Sequence, residues 1–526
     1  METKDKIVKK KISVEELKIH QNGLDIWRNI EERATTGYDS IPDEEIEFFK
    51  WYGVYQQKPN VGHFMVRIRI PGGQMNSNQA REIAQLSRDY GRGLLDVTVR
   101  QGIQLHWLTI ENIPELSRRL HAVGLSTTMA CGDVPRNVVS CPMRDRDRNH
   151  FMDAYPLVQE VNRAVMGNRE YANLPRKFKI GISSCSIHCS LPEIQDVGLY
   201  GVIRKTGKQK EKGFNLLVGG GLSSQPQFAA NINAFVPTDK VIPVCLKIAD
   251  IFRDMGYRKS RKRARLKFLI KDIGAEAFRE ELIKRLGYNL DPAVEAELPD
   301  APFRDHLGII PQKKKKEYTL GFSSPAGRIT PEDLFVLADI AEQFGSGELA
   351  NTPMQNILVF DIPESKLEAA RDMALNAPTM KLENNEIQAS VMPCTGSEFC
   401  NLAITETKNK AFDIINHLEN TVKLDQPIKI GISGCPNSCS HYHISDIGLR
   451  GGRARVNDES VESFDIFAGA TLGDNGKFAQ LLEKAAPAET IEFKLEKILQ
   501  DYMQNREDKE SFNHYINRIM ASAYNI

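Results

Sequence analysis

Two pairs of cysteines in the C-terminal half of the chain are spaced as metal ligands. Five residues separate Cys394 from Cys400. Three residues separate Cys435 from Cys439. Four thiolates in two local pairs suit a [4Fe–4S] cluster. Structural zinc is an alternative, although its cysteine pairs usually have roughly two to four intervening residues, and buried cysteines without a metal are another. The five-residue spacing and the glycine- and proline-rich turns around the cysteines favour the cluster.

The cysteines as a whole do not suggest disulfides. There are nine, an odd number, and the N-terminus METKDKIVKKKIS is charged and has no apolar segment. Because no secretory signal is visible, reduced thiolates serving as metal ligands explain the cysteines better than a disulfide framework. We therefore expect a cytoplasmic protein.

Basic residues occur inside segments that otherwise have the apolar character of strands. In residues 64–70 (FMVRIRI), Arg67 and Arg69 share one face, and valine and isoleucine occupy the other. Lys177 and Lys179 flank Phe178 in the same way. A basic residue taken alone is more often a solvated surface charge, but the apolar surroundings favour an anion-binding role here.

The composition limits the classes of function. At 526 residues the chain is too long for one core, and 41% hydrophobic with 26% charged residues is typical of a globular protein. Basic and acidic residues number 69 each, so the formal net charge is zero and a bulk polycation for nucleic acid is not indicated. No apolar run reaches the roughly 18–20 residues of a transmembrane helix. We expect neither nucleic acid nor a membrane as a partner.

The chain contains two copies of one unit. KIGISSCSIHCSLPEIQDVGLYG, from Lys179, matches KIGISGCPNSCSHYHISDIGLRG, from Lys429, with aligned residues 250 positions apart. Upstream, PGGQMNSNQAREIAQL, from Pro71, matches PAGRITPEDLFVLADI, from Pro325, 254 positions apart. Two long matches in the same order indicate a gene duplication and pseudo-two-fold symmetry.

Each copy begins with a predicted strand–helix–strand–helix unit, which in the first copy covers 64–70, 78–90, 96–110 and 114–123. Its size is that of a ferredoxin-like half domain, and a larger α/β domain follows, with the cysteine turns at its strand ends. We therefore predict an α+β fold built from a duplicated unit. The predicted segments are an N-terminal extension (1–60), the half domain and α/β domain of copy 1 (61–126 and 127–300), a linker (301–316), the half domain and α/β domain of copy 2 (317–384 and 385–505) and a C-terminal tail (506–526).

Together these motifs resemble the sirohaem-dependent sulfite and nitrite reductases. The resemblance rests on C-x5-C…GCPNSC, RIRIPGGQ, RQGIQLHW, LPRKFK, GFNLLVGGGLS and RARLKF, and it extends from about Tyr52 to Leu499. It implies a ferredoxin-type, single-chain oxidoreductase with a sirohaem and a [4Fe–4S] cluster. The last cysteine, Cys439, would ligate the cluster and bridge to the sirohaem iron. Such an enzyme reduces sulfite to sulfide, or nitrite to ammonia, with six electrons.

The resemblance also implies which residues surround the iron and the sirohaem. Cations bind the anion at the open iron position and supply protons as oxygen atoms leave; these are Arg67, Arg136, Lys177 and Lys179. Another six residues would line the sirohaem: Arg100, Gln104, His106, Arg176, Arg265 and Asn437. Taken alone, His106 is as readily a packing histidine. Tyr55 and Cys131 would lie near the distal pocket, with core packing as the alternative.

The aligned copies differ in the residues that carry chemistry. The second copy has lost most of the cations, with Gly321, Pro427 and Met354 in place of Arg67, Lys177 and Arg100, although Lys429 matches Lys179. The first copy retains three cysteines, Cys141, Cys185 and Cys189, but has Asp147 in place of Cys400. These three could bind iron or zinc, and a relic of the duplication is the favoured interpretation. We expect one copy to bind the substrate, the other to hold the cluster, and the sirohaem to lie between them.

Lys179 favours sulfite as the substrate. Plant-type nitrite reductases resemble this pattern with asparagine (RKWN) where this chain has lysine (RKFK), and a second lysine suits a dianion better than a monoanion. Nitrite reduction by the same site, or dual activity, is the alternative.

Electrons must come from another protein, because no Rossmann fingerprint or flavin domain is apparent. Ferredoxin is the expected donor, and a flavoprotein is the alternative. Arg258–Lys267 and Lys313–Lys316 offer local positive charge, or are merely solvated. We expect a monomer. Rival hypotheses are a non-catalytic iron–sulfur scaffold or sensor and a subunit of a dissimilatory reductase, but four ligands and a full set of cations in one chain argue against both.

Overall fold

The structure is a computed structural model that describes residues 13–296, 306–382 and 386–523. The first twelve residues of the predicted N-terminal extension, residues 301–305 of the predicted linker and the last three residues of the predicted tail lie outside the described residues. Within those ranges the fold is α+β, as predicted, and its strands form four five-stranded sheets.

The strands divide equally between the two copies. The first copy contains β1 (Val54–Gln56), β2 (Phe64–Ile68), β3 (Gln74–Asn76), β4 (Leu95–Val97), β5 (Ile103–Leu108), β6 (Val139–Ser140), β7 (Ile180–Ser183), β8 (Val197–Thr206), β9 (Gln209–Val218) and β10 (Ala230–Pro237). The second copy contains β11 (Gly308–Pro311), β12 (Glu317–Phe322), β13 (Arg328–Ile329), β14 (Glu348–Asn351), β15 (Ile357–Pro363), β16 (Val391–Pro393), β17 (Ile430–Ser433), β18 (Ile447–Val456), β19 (Glu459–Ala468) and β20 (Gln480–Pro487).

The helices cover the sheets and the chain ends. They are α1 (Val14–His20), α2 (Trp27–Thr36), α3 (Asp43–Phe49), α4 (Ser77–Tyr90), α5 (Ile113–Ala122), α6 (Tyr155–Val165), α7 (Val241–Met255), α8 (Leu266–Ile273), α9 (Ala275–Leu286), α10 (Pro331–Phe344), α11 (Leu367–Ala374), α12 (Lys408–Thr421), α13 (Ile491–Asn505) and α14 (Phe512–Ala523). No helix in the described ranges is long and apolar enough to cross a membrane.

The two small sheets exchange strands. One has the order β1-β2-β5-β4-β13 and the other β11-β12-β15-β14-β3, so each is completed by an antiparallel strand from the other copy. Ile329 of β13 pairs with Leu95 of β4, and Met75 of β3 pairs with Leu349 of β14. The half domains of the two copies are therefore physically interlocked.

Helices α4 and α10 occupy equivalent positions in the two copies and begin with the same N-terminal capping motif. Asn76 forms a capping box with Gln79 at the start of α4, and Thr330 forms one with Asp333 at the start of α10. Each box satisfies backbone N–H groups that have no partner within the first helical turn. The helix predicted over 78–90 agrees with α4, which ends before Gly91. The two helices pack against each other across the pseudo-two-fold axis.

The strand predicted over 96–110 is instead a hairpin. Strands β4 and β5 are antiparallel neighbours, with Leu95 opposite Leu105. The turn between them is closed by a hydrogen bond from Gly102 N to Thr98 Oγ1 at 3.1 Å. Gln101 adopts a φ of +60°, a left-handed conformation that a continuous strand does not allow. Apolar residues on both sides of a short turn gave the appearance of one strand.

Two segments predicted to lie outside the half domains contribute edge strands to the small sheets. Residues 54–56, assigned to the N-terminal extension, form the edge strand β1 against β2. Residues 308–311, assigned to the linker, form the edge strand β11 against β12. In each case a strand of three or four residues is too short to show a clear alternation.

The two large sheets have the same topology. Strands β6, β7 and β8 are parallel, and β9 and β10 continue antiparallel; β16 to β20 repeat this order. Gly198 and Gly448 recur where strand and turn meet most closely. A Cβ on Gly198 would lie 2.2 Å from Pro192 O, and one on Gly448 would lie 2.0 Å from Tyr442 O. Both copies thus preserve the tight turn that follows the paired cysteines.

Candidate active site

The four cysteines of the second copy lie on two adjacent loops. Cys394 directly follows β16, and its backbone N donates to Ile432 O of the neighbouring strand at 2.8 Å. Cys400 ends a turn in which its N donates to Gly396 O at 3.0 Å. Because β16 and β17 are parallel neighbours, the turn after β17 lies beside the Cys394 loop. That turn carries the other two predicted ligands, Cys435 and Cys439.

The sulfur atoms of these cysteines influence one another, but they are not packed around a point. Burial, together with negative charge on Cys439, raises the pKa of the Cys394 thiol to about 12. In the described part of the chain, no three of the four sulfurs lie within 4.8 Å of one another. Thiolates about 2.3 Å from one tetrahedral zinc ion would lie only about 3.8 Å apart. The wider arrangement fits the larger [4Fe–4S] cluster.

Arg67 extends from β2 of the first copy towards the cysteines of the second. Its Nη1 donates to Cys131 Sγ at 3.0 Å, and its guanidinium lies 5.7 Å from the centre of the Tyr55 ring. Burial lowers the pKa of Arg67, but negative charge on Cys131, Tyr55 and Cys439 outweighs this and raises it. Burial and the charge of Cys131 in turn raise the pKa of the Tyr55 hydroxyl. The sequence left open whether Tyr55 and Cys131 interact, and the structure brings them together beside Arg67.

Lys177 and Lys179 bring two further amines to the same region. Burial, followed by the charge of Arg265, lowers the pKa of Lys177 to about 7, while Cys439 acts in the opposite direction. Burial and the charges of Arg100 and Lys177 hold the pKa of Lys179 well below its ordinary value. An amine with a lowered pKa releases its proton more readily, which suits a proton donor.

Arg136 is held in place by backbone contacts. Its Nε and Nη2 donate to Gly132 O at 3.1 and 2.7 Å. Its carbonyl oxygen accepts from Arg69 Nη2 at 3.1 Å. Arg69, which the strand period placed on the same face as Arg67, also donates to Asn162 Oδ1 at 2.6 Å and to two other backbone carbonyls. Arg69 therefore positions the Arg136 segment rather than facing a ligand.

Two of the arginines predicted to line the sirohaem lie beside the lysines, Arg265 buried and Arg100 partly buried. Arg100 donates to Gln195 Oε1 at 3.0 Å, and burial together with the charge of Arg136 lowers its pKa to about 9. Arg265 forms a buried ion pair with Asp196 at 2.8 Å. A Cβ on Gly221 would lie 3.0 Å from Arg265 Nη2, so the glycine leaves room for this guanidinium.

Three further residues predicted to line the sirohaem, Arg176, Gln104 and Asn437, lie on different elements. Arg176 makes a long ion pair of 3.4 Å with Asp133, and burial lowers its pKa. Gln104 is buried in β5 and is the strand partner of Arg67. Asn437 of the second copy accepts a hydrogen bond from Ser223 Oγ of the first at 3.3 Å. The cysteine turn thus touches the loop after β9.

His106 is buried and hydrogen-bonded on both ring nitrogens. Nε2 lies 3.1 Å from Asp96 Oδ2, and Nδ1 lies 3.4 Å from Gln57 Nε2. Its ring stacks on Phe399 with centroids 4.1 Å apart. Burial lowers the pKa of His106. The His106 ring therefore packs against Phe399, the residue before Cys400, which agrees with the interpretation of His106 as a packing residue.

A buried charge network that sequence reasoning missed joins the two copies beside the cysteine loop. Asp96 Oδ1 of β4 lies 3.0 Å from Arg328 Nε and 3.5 Å from Lys408 Nζ. Arg328 also pairs with Glu398 at 2.9 Å. These cations hold the pKa of Asp96 well below its ordinary value despite burial. A signal was present, since Asp96 stands within the apolar segment LLDVTV.

The residues of the site fit a polyanionic cofactor. In the described part of the chain, the Nε atoms of Arg67 and Arg100 are buried without a hydrogen-bond partner. Buried guanidinium groups of this kind are costly unless an anion or acceptor compensates them. The nearby thiols of Cys394, Cys400, Cys435 and Cys439 supply the donor set of an iron–sulfur cluster. Cations and thiols come from opposite copies, so the residues present fit a cluster held by the second copy and a sirohaem bound where the two copies meet.

Comparisons with known proteins agree with this geometry. Residues 131–290 and 388–522 match the nitrite and sulphite reductase 4Fe-4S domain, and residues 55–123 and 310–377 match the nitrite/sulfite reductase ferredoxin-like half domain. The chain is 34% identical to sulfite reductase [ferredoxin] 2 of Mycolicibacterium paratuberculosis, covering 92% of this chain and 90% of the relative. It is 36% identical to the ferredoxin–nitrite reductase of Synechococcus elongatus, covering 90% and 92%. The structure of Mycobacterium tuberculosis NirA protein matches with a TM-score of 0.90 at 33% identity, covering 96% and 95%.

The chain therefore belongs to the sirohaem-dependent nitrite and sulfite reductase family. It is an oxidoreductase whose cofactors are a sirohaem and a [4Fe–4S] cluster. The duplicated half domain and 4Fe-4S domain predicted from the internal repeat are those of this family.

Proposed function

We propose that this chain reduces sulfite to sulfide with six electrons, at a sirohaem coupled to a [4Fe–4S] cluster through Cys439. The observation that carries the proposal is the meeting of the two copies. Arg67 and Lys177 of the first copy lie close enough to Cys439 of the second for its charge to act on both: it contributes to the raised pKa of Arg67 and opposes the lowering of the pKa of Lys177. Substrate-binding cations thus face the cysteine that would connect the two metal centres.

Each residue of the site has a proposed task. The cluster ligands are Cys394, Cys400, Cys435 and Cys439. When bound, the sirohaem and the cluster supply single electrons and an iron position for the anion. Arg67 and Arg136 hold the anion and stabilise negative charge, and Lys177 and Lys179 donate the protons with which oxygen leaves as water. The sirohaem carboxylates would be bound among Arg100, Gln104, Arg176, Arg265 and Asn437, and His106 would support the cysteine loop through its contact with Phe399.

Sulfite is preferred over nitrite because the site concentrates positive charge. Lys177, Lys179 and Arg100 lie together, and the pKa of Lys179 is held low partly by the other two. A dianion relieves this mutual repulsion better than a monoanion does. Reduction of nitrite to ammonia is the second candidate, and the similarity to a ferredoxin–nitrite reductase favours it.

We infer that ferredoxin is the electron donor, as the names of the sulfite and nitrite reductase relatives state for those proteins. The basic segment 258–267 is a weak candidate for the docking surface, because its arginines are paired. Arg258 pairs with Glu15, Arg261 with Asp133 and Arg263 with Asp272. We infer a cytoplasmic monomer.

Two measurements on the purified protein test the proposal. The visible spectrum should contain sirohaem bands and a broad iron–sulfur shoulder; a cluster without sirohaem would instead indicate an iron–sulfur scaffold or sensor. Turnover with reduced methyl viologen should then give a higher kcat/KM for sulfite than for nitrite. A much higher value for nitrite would make nitrite reduction the function.

A further inference from the structure

The first copy contains a compact group of three thiols that the reductase site does not use. The sulfur atoms of Cys141, Cys185 and Cys189 all lie within 4.8 Å of one another. All three residues are buried, with exposed fractions of 3%, 1% and 1%. Three thiolates on one tetrahedral zinc ion lie about 3.8 Å apart. This group therefore has the dimensions of a single-ion site, unlike the wider set in the second copy.

The fold brings these cysteines together through neighbouring parallel strands. Cys141 directly follows β6, and the turn after β7 carries the other two. Because β6 and β7 pair in parallel, their carboxyl ends meet at the same edge of the sheet. Cys185 and Cys189 have three intervening residues, within the usual spacing of zinc-binding cysteine pairs. Loop and turn are thus arranged as in the second copy, but with a tighter grouping of sulfurs.

The candidate for the fourth ligand is a histidine whose ring nitrogens lie outside the 4.8 Å group of the three sulfurs, so its side chain would turn towards them when the ion binds. Asp147, which stands in place of Cys400, is engaged elsewhere, since it accepts from Asn149 N at 2.7 Å and lies 3.5 Å from His306 Nδ1. Three residues further on, His150 forms an antiparallel backbone bridge with Cys185. Both ring nitrogens of His150 are buried and have no hydrogen-bond partner in the described part of the chain.

The loop that carries His150 is fixed against the cysteine turn. Phe151 N donates to Ser184 O at 2.9 Å, and Lys313 Nζ donates to His150 O at 3.0 Å. The imidazole is close enough to Cys185 to lower the pKa of that thiol, after the larger effects of Cys141 and Cys189. Three cysteines and one histidine are a common ligand set for structural zinc.

The surroundings of the three cysteines are apolar and come from both copies. The same cluster of buried side chains includes Met143 and Leu222 of the first copy and Met354, Met392 and Ile444 of the second. Thiolates are unfavourable in such surroundings unless a cation compensates them. An ion bound here would fix a loop at the contact between the copies.

We propose that Cys141, Cys185, Cys189 and His150 bind one structural zinc ion, distinct from the iron of the sirohaem and the [4Fe–4S] cluster. Each thiol releases its proton on binding and the imidazole binds as the neutral base, so no electron is transferred. The site does not depend on which anion the enzyme reduces.

The test uses the holoenzyme produced in zinc-supplemented medium and dialysed against a chelator. Elemental analysis should give about one zinc per chain, and X-ray absorption at the zinc edge should give three sulfur atoms at about 2.3 Å and one nitrogen at about 2.0 Å. This edge is insensitive to iron. Cys185→Ser should lower the zinc content at least about tenfold. Cys245→Ser is the matched control, because Cys245 is buried in α7 and only desolvation shifts its pKa.

His150→Ala should remove the nitrogen from the zinc-edge spectrum, whereas His188→Ala should retain it. His188 is the appropriate control because it is also buried near Cys185 and its Nδ1 has no hydrogen-bond partner in the described residues. Three results would overturn the proposal: wild-type enzyme without zinc, zinc retained by Cys185→Ser, or a disulfide between two of the cysteines in the mass of the intact protein. If the zinc-edge spectrum lost its nitrogen in His188→Ala but kept it in His150→Ala, the assignment of His150 as the fourth ligand would be wrong. Because the wild-type spectrum is decisive by itself, a variant that fails to fold does not prevent the test.

Discussion

The two copies have the same fold but divide the chemistry between them. After β7 and after β17, the same turn carries cysteines at the same positions, and Gly198 and Gly448 preserve the same close approach. Around this common frame, the first copy presents buried arginine and lysine, while the second presents a wider set of four thiols. Backbone contacts within the turn are thus retained in both copies, while the charged residues and the cysteines around the turn diverge.

The aligned carboxylates Asp196 and Asp446 illustrate this divergence. Each accepts a hydrogen bond of 2.8 Å from the backbone N of the lysine at the start of the repeat. Asp196 also forms an ion pair with Arg265, whereas Asp446 is paired with the neutral amide of Asn513. Burial raises the pKa of Asp446 to about 6. The same position is thus part of a charged pair in one copy and poorly compensated in the other.

The largest effect is expected from removing the cysteine proposed to connect the two cofactors. Cys439→Ser should reduce sulfite turnover to background and alter the sirohaem and iron–sulfur absorption bands, because a hydroxyl is a poor iron ligand. Cys245→Ser, which replaces a buried thiol of the first copy, should retain both the sulfite turnover and the absorption bands. Normal sulfite turnover in Cys439→Ser would contradict the proposed division of tasks between the copies.

Lys177 tests whether the first copy donates protons. Lys177→Met should lower kcat by roughly 10²–10⁴-fold, the usual contribution of a positioned acid. Because burial lowers the pKa of Lys177 to about 7, and only the protonated amine donates, wild-type kcat should fall as the pH rises above about 7. Lys177→Arg keeps the charge but is protonated throughout, so it should retain KM better than kcat and lose this pH dependence.

The pH profiles of wild type and Lys177→Arg should be measured with the same substrate, so that ionisation of the anion affects both equally. An identical decline above pH 7 in the two proteins would show that another group is responsible.

Lys179 tests whether the two copies differ in function at a position where both have lysine. Lys179→Asn should lower kcat/KM for sulfite more than for nitrite, changing the ratio by about tenfold, which corresponds to about 1.4 kcal/mol. Lys429→Asn is the matched change in the second copy and should leave the ratio nearly constant. Equal losses on both anions in Lys179→Asn would mean that this lysine does not discriminate between them.

The smallest effect concerns stability. The folded-state pKa of Asp446 is raised above its ordinary value of 3.8 to about 6, so ionisation between about pH 4 and 6 destabilises the fold by about 3 kcal/mol. Asp446→Asn should therefore raise the melting temperature above pH 6 and have little effect below pH 4. Calorimetry of the holoenzyme as a function of pH measures this difference.

Asp196→Asn is the matched change in the first copy and should have the opposite sign. It leaves the buried guanidinium of Arg265 without its carboxylate, which typically destabilises a protein by about 3–5 kcal/mol. If both substitutions destabilise the enzyme at pH 8, the two carboxylates are equivalent and the contrast between the copies is wrong at this position.

Much of the fold could be predicted from the sequence, because repetition and helix signals are local. The duplication is visible in the residues themselves, and the capping residue Asn76 together with Gly91 delimits α4. The strand exchange could not be predicted. Strands β3 and β13 have only three and two residues, and nothing in so short a segment identifies a partner far away along the chain.

The candidate site was predictable where a residue type has few other uses. Four cysteines in two pairs indicate ligands, and basic residues within apolar segments indicate buried charge. The role of Arg69 was not predictable, since strand period places it with Arg67 and only the folded structure shows its carbonyl partners. The network of Asp96, Arg328 and Lys408 was missed because its members come from three separate segments.

The exchange of strands has a consequence for biosynthesis. After β4 has been synthesised, the edge of this strand stays unpaired until β13 is synthesised about 230 residues later. At about 5–20 residues per second, this interval lasts roughly 10–50 seconds. During that time the nascent chain displays an unpaired strand edge of the kind that promotes aggregation. We therefore expect chaperones or slow expression to raise the yield of this enzyme, and we expect either half of the gene, translated alone, to yield a protein that aggregates.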